Sequence, residues 1–219
     1  MIGKTPRLRQ RRSGHLPDYD YSLPGAYFVT TCTHNREQMF GMVDNGRMIL
    51  NRLGEVVQRC WHDLPYYYPS VQLDAFVVMP NHVHGIIILT DVESRASVGA
   101  GLHGARPTNG LSPMGPDTRT NATRTRPAPT VGDAGRVSLR EVVRALKSFS
   151  AIRINGIRNS RGVPVWQRGY HDHVIRTDAD LKDIRLYIQN NPLRWSLDPD
   201  NPDSMVDTHE TDQYQTTRG

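Results

Sequence analysis

The run Met79-Pro80-Asn81-His82-Val83-His84 places an imidazole on each side of one valine. Side chains alternate faces along a strand, so at this spacing His82 and His84 project one way and Val83 the other. Two imidazoles converging on one point begin a metal site. The same pattern also serves as one exposed and one hydrogen-bonded core histidine, and a metal needs a third ligand. Tyr187 and Asn191 stand at i and i+4, neighbours on one face if the segment is helical. Taken singly, Tyr187 reads as a core aromatic with a satisfied hydroxyl and Asn191 as a helix cap before Pro192. Taken with the histidines they make a nucleophile and three metal ligands. Tyrosine, with an unperturbed pKa of about 10, is weakly nucleophilic and needs a charged neighbour to react.

The elements that must position these groups are legible in the periodicities. Ala26 to Thr33 is β-branched and aromatic, bounded by Pro24-Gly25 and His34-Asn35, and reads as a strand. From about Asn51 to Leu64, Leu53, Val56, Val57, Cys60, Trp61 and Leu64 recur at helical spacing ahead of Pro65. Val71 to Met79 and Val83 to Thr90 are strand-like runs joined by a tight turn at Pro80-Asn81, which predicts a hairpin. Ser138 and Glu141 have capping-box spacing and open a second helix that continues to Asn155 through Val142, Leu146, Phe149 and Ile152. A short strand is expected at His173 to Arg176. Thr177 and Asp180 then cap a third helix, held to the core by Leu181, Ile184 and Ile188 and ended by Pro192. This order predicts an α+β fold, with helices on one face of an antiparallel sheet.

The remaining sequence reads as material outside that core. The chain has 219 residues, 37% of them hydrophobic, and a formal charge of +5, which fits one domain and favours an anionic partner, nucleic acid first. Residues 1–16 form a basic arm carrying Lys4, Arg7, Arg9, Arg11 and Arg12. Residues 92–137 hold seven Gly, five Pro and no Phe, Trp or Tyr, too little apolar matter to offset ordering entropy, so they read as a flexible insertion. From 198 to 219 come six acidic residues and only Arg218 as a base, the composition of a disordered acidic tail. The domain is therefore expected over 17–197. The apolar run from Val83 to Leu89 is far short of the roughly 20 residues that span a bilayer, and the arm lacks the apolar stretch of a secretory signal. Cys32 and Cys60 lack CxxC spacing and recommend neither a zinc site nor a thiol nucleophile. A cytoplasmic protein with no membrane partner is the expectation.

The runs YDYSLPGAYFVTTCTHNREQMFG, VVMPNHVHGIIIL, VWQRGYHDHVIR and YIQNNPLRW resemble the REP-associated tyrosine transposases, a branch of the single-tyrosine HUH transposases related to insertion-sequence enzymes. The match covers roughly residues 17–91 and 138–197, and the insertion between them departs from compact members. The resemblance implies a ferredoxin-like sheet with helices, the HUH endonuclease fold, acting on single-stranded or hairpin DNA with a divalent ion, Mg²⁺ or Mn²⁺. It assigns the HUH motif to His82, Val83 and His84, the catalytic tyrosine to Tyr187 and the third ligand to Asn191, with Gln189 and Asn190 as adjacent amides. Family members include dimers and monomers, so a homodimer stays open.

The implied chemistry is DNA transposition and recombination: a strand is nicked near a hairpin through a 5′-phosphotyrosine and rejoined. Such an exchange conserves the phosphodiester, so no ATP site is needed and no Walker-type glycine loop is present. Two imidazoles and an amide are softer donors than Mg²⁺ prefers, which favours Mn²⁺ as activator. Trp166, Gln167, Arg168, Tyr170 and His171 suit stacking on unpaired bases with phosphate contacts, although Trp166 fits a core equally well. Arg140, Arg144, Lys147 and Arg153 give the second helix a basic side, for phosphate or merely for solvent. Rival readings are a domesticated hairpin-binding protein without catalysis, a relaxase or replication initiator, and a phosphoesterase that uses water.

Overall fold

The computed structural model describes residues 16, 18–91, 136–198, 200–202 and 204. Residues 1–15 of the basic arm, nearly all of the expected insertion and the expected acidic tail beyond residue 204 lie outside them. The order is β1 (Gly25–Cys32), β2 (Gly41–Asp44), β3 (Arg47–Leu50), α1 (Arg52–His62), α2 (Leu64–Tyr67), β4 (Val71–Val78), β5 (His82–Leu89), α3 (Leu139–Ile157), β6 (His171–Ile175) and α4 (Asp178–Asn190), with short 3-10 segments at His34–Arg36 and Pro192–Leu197.

β1, β4, β5 and β6 form one antiparallel sheet in the order β4-β5-β1-β6. With α1 between β1 and β4 and α3 between β5 and β6, this is the βαββαβ path and strand order of a ferredoxin-like fold. The helices start where side chains can take up their free amides. Asn51 Oδ1 accepts from Leu53 and Gly54, Ser138 and Glu141 close the capping box, and Thr177 Oγ1 accepts from Asp180 at 3.1 Å.

The two faces of the sheet are covered by different helices. Tyr27, Val29, Ile87 and Leu89 pack with Trp61, Leu139, Val142 and Leu146 of α1 and α3. Gly85 belongs to this face, and a Cβ there would lie 2.4 Å from Trp61, whose ring stacks on Phe76 with centroids 4.3 Å apart. The opposite face carries Phe28 and Ile86 against Ile184, Ile188 and Tyr187 of α4. The expectation of helices on one face therefore holds for α1 and α3, and α4 corrects it. Phe28 and Ile86 make a second apolar surface that needs its own cover, and α4 supplies it. Burying Ile184 and Ile188 there is worth about 1.5–3 kcal/mol each.

A second hairpin, β2 and β3, was not expected from the periodicities. Asn45 and Gly46 turn it with φ of 49° and 72°, the left-handed region, and the Leu193 side chain lies over Gly46. The acidic-tail boundary also moves. Asp198 and Asn201 are buried, tied by Asp200 N to Asp198 Oδ1 at 2.7 Å and by Asn201 Nδ2 to Trp195 O at 2.9 Å. Local composition reads these residues as solvated, whereas the chain turns back through the 3-10 segment and docks them on the sheet. Among the described residues no helix is long and apolar enough to cross a membrane.

Candidate active site

The β1–β5 register sets Cys32 beside His82 and Thr30 beside His84, on the face covered by α4. Both imidazoles are buried, with ring centroids 4.5 Å apart. Thr30 Oγ1 lies 2.7 Å from His84 Nδ1, and Asn81 Oδ1 lies 2.9 Å from His82 Nδ1. Each histidine is thus held through Nδ1, leaving Nε2 for the site. Phe28 stacks on the His84 ring at 5.5 Å and meets the Tyr187 ring edge-on at 6.0 Å, fixing both.

Tyr187 reaches the pair from α4, its hydroxyl 3.4 Å from His84 Nε2. One turn later Asn191 ends the helix, is 2% exposed, and adjoins both His82 and Tyr187. Of the three neighbouring amides, Gln189 is exposed and Asn190 half-buried, so Asn191 is the one carried into the site. Its Nδ2 points at Asp198 Oδ2 3.4 Å away. Asp198, His82 and His84 have ligand atoms all within 4.8 Å of one another. Asp198 was missed because six acidic residues in the last 22 read as a tail. The available signal was Trp195 and Leu197 just before it, apolar side chains atypical of an acidic tail.

Electrostatics keep the site ready for a cation. Burial holds the His84 pKa well below its ordinary value, reinforced by His82, and burial likewise lowers His82 against the opposing pull of Asp198 and Asp200. Both rings are therefore neutral at pH 7, the form that ligates. Tyr187 is pushed up by burial, then by the Asp198 and Asp200 carboxylates, so the protein alone keeps its phenol protonated. Cys32, nearby, is pushed up to about 12 by burial and then by Asp200, and is no thiolate nucleophile. His82 Nε2 and Asn191 Oδ1 are buried without a hydrogen-bond partner among the described residues. Two buried polar atoms without partners, beside a second histidine and a carboxylate, fit a divalent cation.

The residues expected to contact DNA divide. Trp166 is 8% exposed, donates Nε1 to Ser150 Oγ at 2.9 Å and packs on Phe40 at 5.1 Å. That corrects its reading as a stacking platform, because the indole is buried in the core cluster with Phe40 and leaves no ring face open to a base. Lys147 Nζ is 2.7 Å from each of the Gln167 and Gly169 carbonyls, and Arg153 bonds Cys60 Sγ and Asp63. These cations stitch α3 to its surroundings and do not face outward. Gln167 and Tyr170 are half-buried. Arg140, Arg144, Arg168 and His171 are exposed.

No protein-family model matches the chain. It is 35% identical over 193 residues to a protein of Haemophilus influenzae described as uncharacterized, covering 87% of this chain and 93% of that protein. The chain belongs to that protein's family. Among solved structures it is similar to a REP-associated tyrosine transposase bound to a REP hairpin, at 17% identity and a TM-score of 0.46 over 83% of this chain and 73% of that one. It is also similar to a putative transposase from Deinococcus radiodurans, at 16% identity and a TM-score of 0.38 over 83% of this chain and 97% of that one.

Proposed function

We propose that the chain is a metal-dependent transposase that nicks and rejoins single-stranded DNA near hairpins through a 5′-phosphotyrosine at Tyr187. The observation that carries this reading is the Tyr187 hydroxyl 3.4 Å from His84 Nε2, beside orphaned His82 Nε2 and Asn191 Oδ1. The four motif runs of the sequence support it, because they bring the same three groups together in one family pattern.

His82 and His84 would hold the ion through Nε2, Asn191 through Oδ1, and Asp198 adds a hard anionic donor that the sequence did not offer. When bound, Mg²⁺ or Mn²⁺ supplies positive charge that polarises a non-bridging phosphate oxygen and favours the ionised phenol. Tyr187 contributes the attacking oxygen: its bond to phosphorus forms as the bond to the 3′ oxygen of the neighbouring nucleotide breaks. The leaving group is a free 3′-hydroxyl, and attack by a 3′-hydroxyl on the phosphotyrosine reverses the step and rejoins DNA. Phe28 and Ile188 fix where Tyr187 stands, so the nucleophile is oriented before substrate arrives.

Arg140, Arg144, Arg168 and His171 are the proposed phosphate contacts, being exposed. The test is incubation of end-labelled hairpin DNA bearing a single-stranded flank with the protein and Mn²⁺, followed by denaturing electrophoresis. A DNA–protein adduct that survives denaturation supports the reading. Cleavage with no adduct favours a phosphoesterase that uses water, and tight binding with no cleavage favours a non-catalytic hairpin-binding protein.

A further inference from the structure

Asn81 is fully buried in the turn that leads into β5, and each polar atom of its side chain is committed. Nδ2 approaches two backbone carbonyls, Arg36 O at 3.1 Å and Asp200 O at 2.6 Å. Carbonyl oxygens only accept, so the two amide hydrogens must point at them, and this fixes which end of the carboxamide is oxygen. Oδ1 is then the atom 2.9 Å from His82 Nδ1. An amide oxygen only accepts, so Nδ1 must carry the proton. The neutral ring has one proton, and Nε2 is left with its lone pair, the same atom that is buried without a partner.

We infer that Asn81 is a positioning residue that locks His82 in the Nδ1–H tautomer and so presents Nε2 to a divalent cation. The inference rests on the metal-dependent reading above. Thr30 cannot impose the same choice on His84, because a hydroxyl at 2.7 Å from Nδ1 can donate or accept. The device is one-sided: a carboxamide oriented by two carbonyls dictates one ligand. It also ties that ligand to both ends of the chain's docking, since Arg36 follows β1 and Asp200 follows the 3-10 segment.

The test is long-range ¹H–¹⁵N correlation spectroscopy of the full chain labelled at histidine nitrogens, held in EDTA at pH 7.5, with His82 assigned by the signals lost in His82→Gln. The expected wild-type spectrum shows a protonated Nδ1 and an unprotonated Nε2 at His82. An Nε2–H tautomer there overturns the inference with no variant needed. Asn81→Ala should release the ring toward the Nε2–H form and weaken Mn²⁺ binding, read by electron paramagnetic resonance of free Mn²⁺, by about 10–100-fold. An unchanged tautomer and Mn²⁺ affinity in a folded Asn81→Ala protein contradicts the inference. If the wild type binds no Mn²⁺, the metal-dependent reading fails while the tautomer is still read directly.

Discussion

The hydroxyl of Tyr187 and Nε2 of His84 lie 3.4 Å apart although 103 residues separate them in the chain. Two elements on one sheet face create that approach. β5 aims His84 at the face covered by α4 by the period-2 alternation that also aims His82, and α4 crosses that face with Ile184 and Ile188 against Phe28 and Ile86.

If His82 and His84 are ligands, removing either imidazole should weaken Mn²⁺ binding by about two orders of magnitude or more, since even residues behind the ligands cost 10–100-fold. His82→Ala and His84→Ala should lose Mn²⁺-dependent cleavage and keep most hairpin binding, because the exposed Arg140, Arg144 and Arg168 are untouched. Gel-shift and cleavage assays on the same preparations check both halves. Normal cleavage by the double variant in Mn²⁺ would remove the ligand assignment.

The sheet itself can be tested at Gly85. A methyl group there would stand 2.4 Å from the Trp61 ring, inside the stack with Phe76. Gly85→Ala should destabilise the fold by about 1–3 kcal/mol, the usual cost of overpacking a filled core. Urea denaturation reads this as a lower midpoint at unchanged slope, and an unchanged midpoint would show that Trp61 moves aside freely.

Much of this arrangement is legible locally. The caps at Ser138 and Thr177, the histidine pair on one strand face and the tyrosine one turn before Asn191 all follow from spacing within a few residues. What failed to show was long-range. Trp166 among Gln167, Arg168 and Tyr170 has the composition of a nucleic-acid platform, and only its bond to Ser150 and its packing on Phe40 reveal a core residue. Asp198 reads as tail because acidity is a local property while burial against His82 is not. The β2–β3 hairpin did carry its signal, Asn45-Gly46, but its four-residue strands are too short for a convincing alternation.

The ends of the insertion meet: Arg136 pairs with Asp91 at 2.9 Å. A short connection can therefore join them. Replacing residues 96–133 by a short Gly/Ser linker should leave the cooperative unfolding transition nearly unchanged, because closure entropy depends weakly on loop length. A variant that no longer unfolds cooperatively, or is insoluble, would show that the insertion packs on the domain.

Acid should loosen α4 from the sheet. Arg185 bonds Asp74 on β4, Nε to Oδ1 at 2.8 Å, and holds the Asp74 carboxyl below its ordinary value, with the Ala75 amide adding to the effect against burial. A carboxyl depressed in the folded state stabilises above its unfolded pKa of about 3.9 and loses that contribution as pH falls through the lower folded value. Wild type should therefore exceed Asp74→Asn in stability at pH 7, with the gap closing below about pH 4. Chemical denaturation of both proteins across pH 2.5 to 7 checks the sign. A gap that widens in acid would contradict it.

The central claim is that Tyr187 is the nucleophile. Tyr187→Phe removes one oxygen and leaves the ring against Phe28, so stability should stay within about 1 kcal/mol. The decisive measurement is peptide mapping of the adduct formed on labelled hairpin DNA in Mn²⁺, run beside Tyr187→Phe. The expected result is a phosphotyrosine in the peptide containing Tyr187 and no adduct or cleavage in the variant. An adduct on Tyr170 or Tyr214, or cleavage that persists in Tyr187→Phe, would contradict the account.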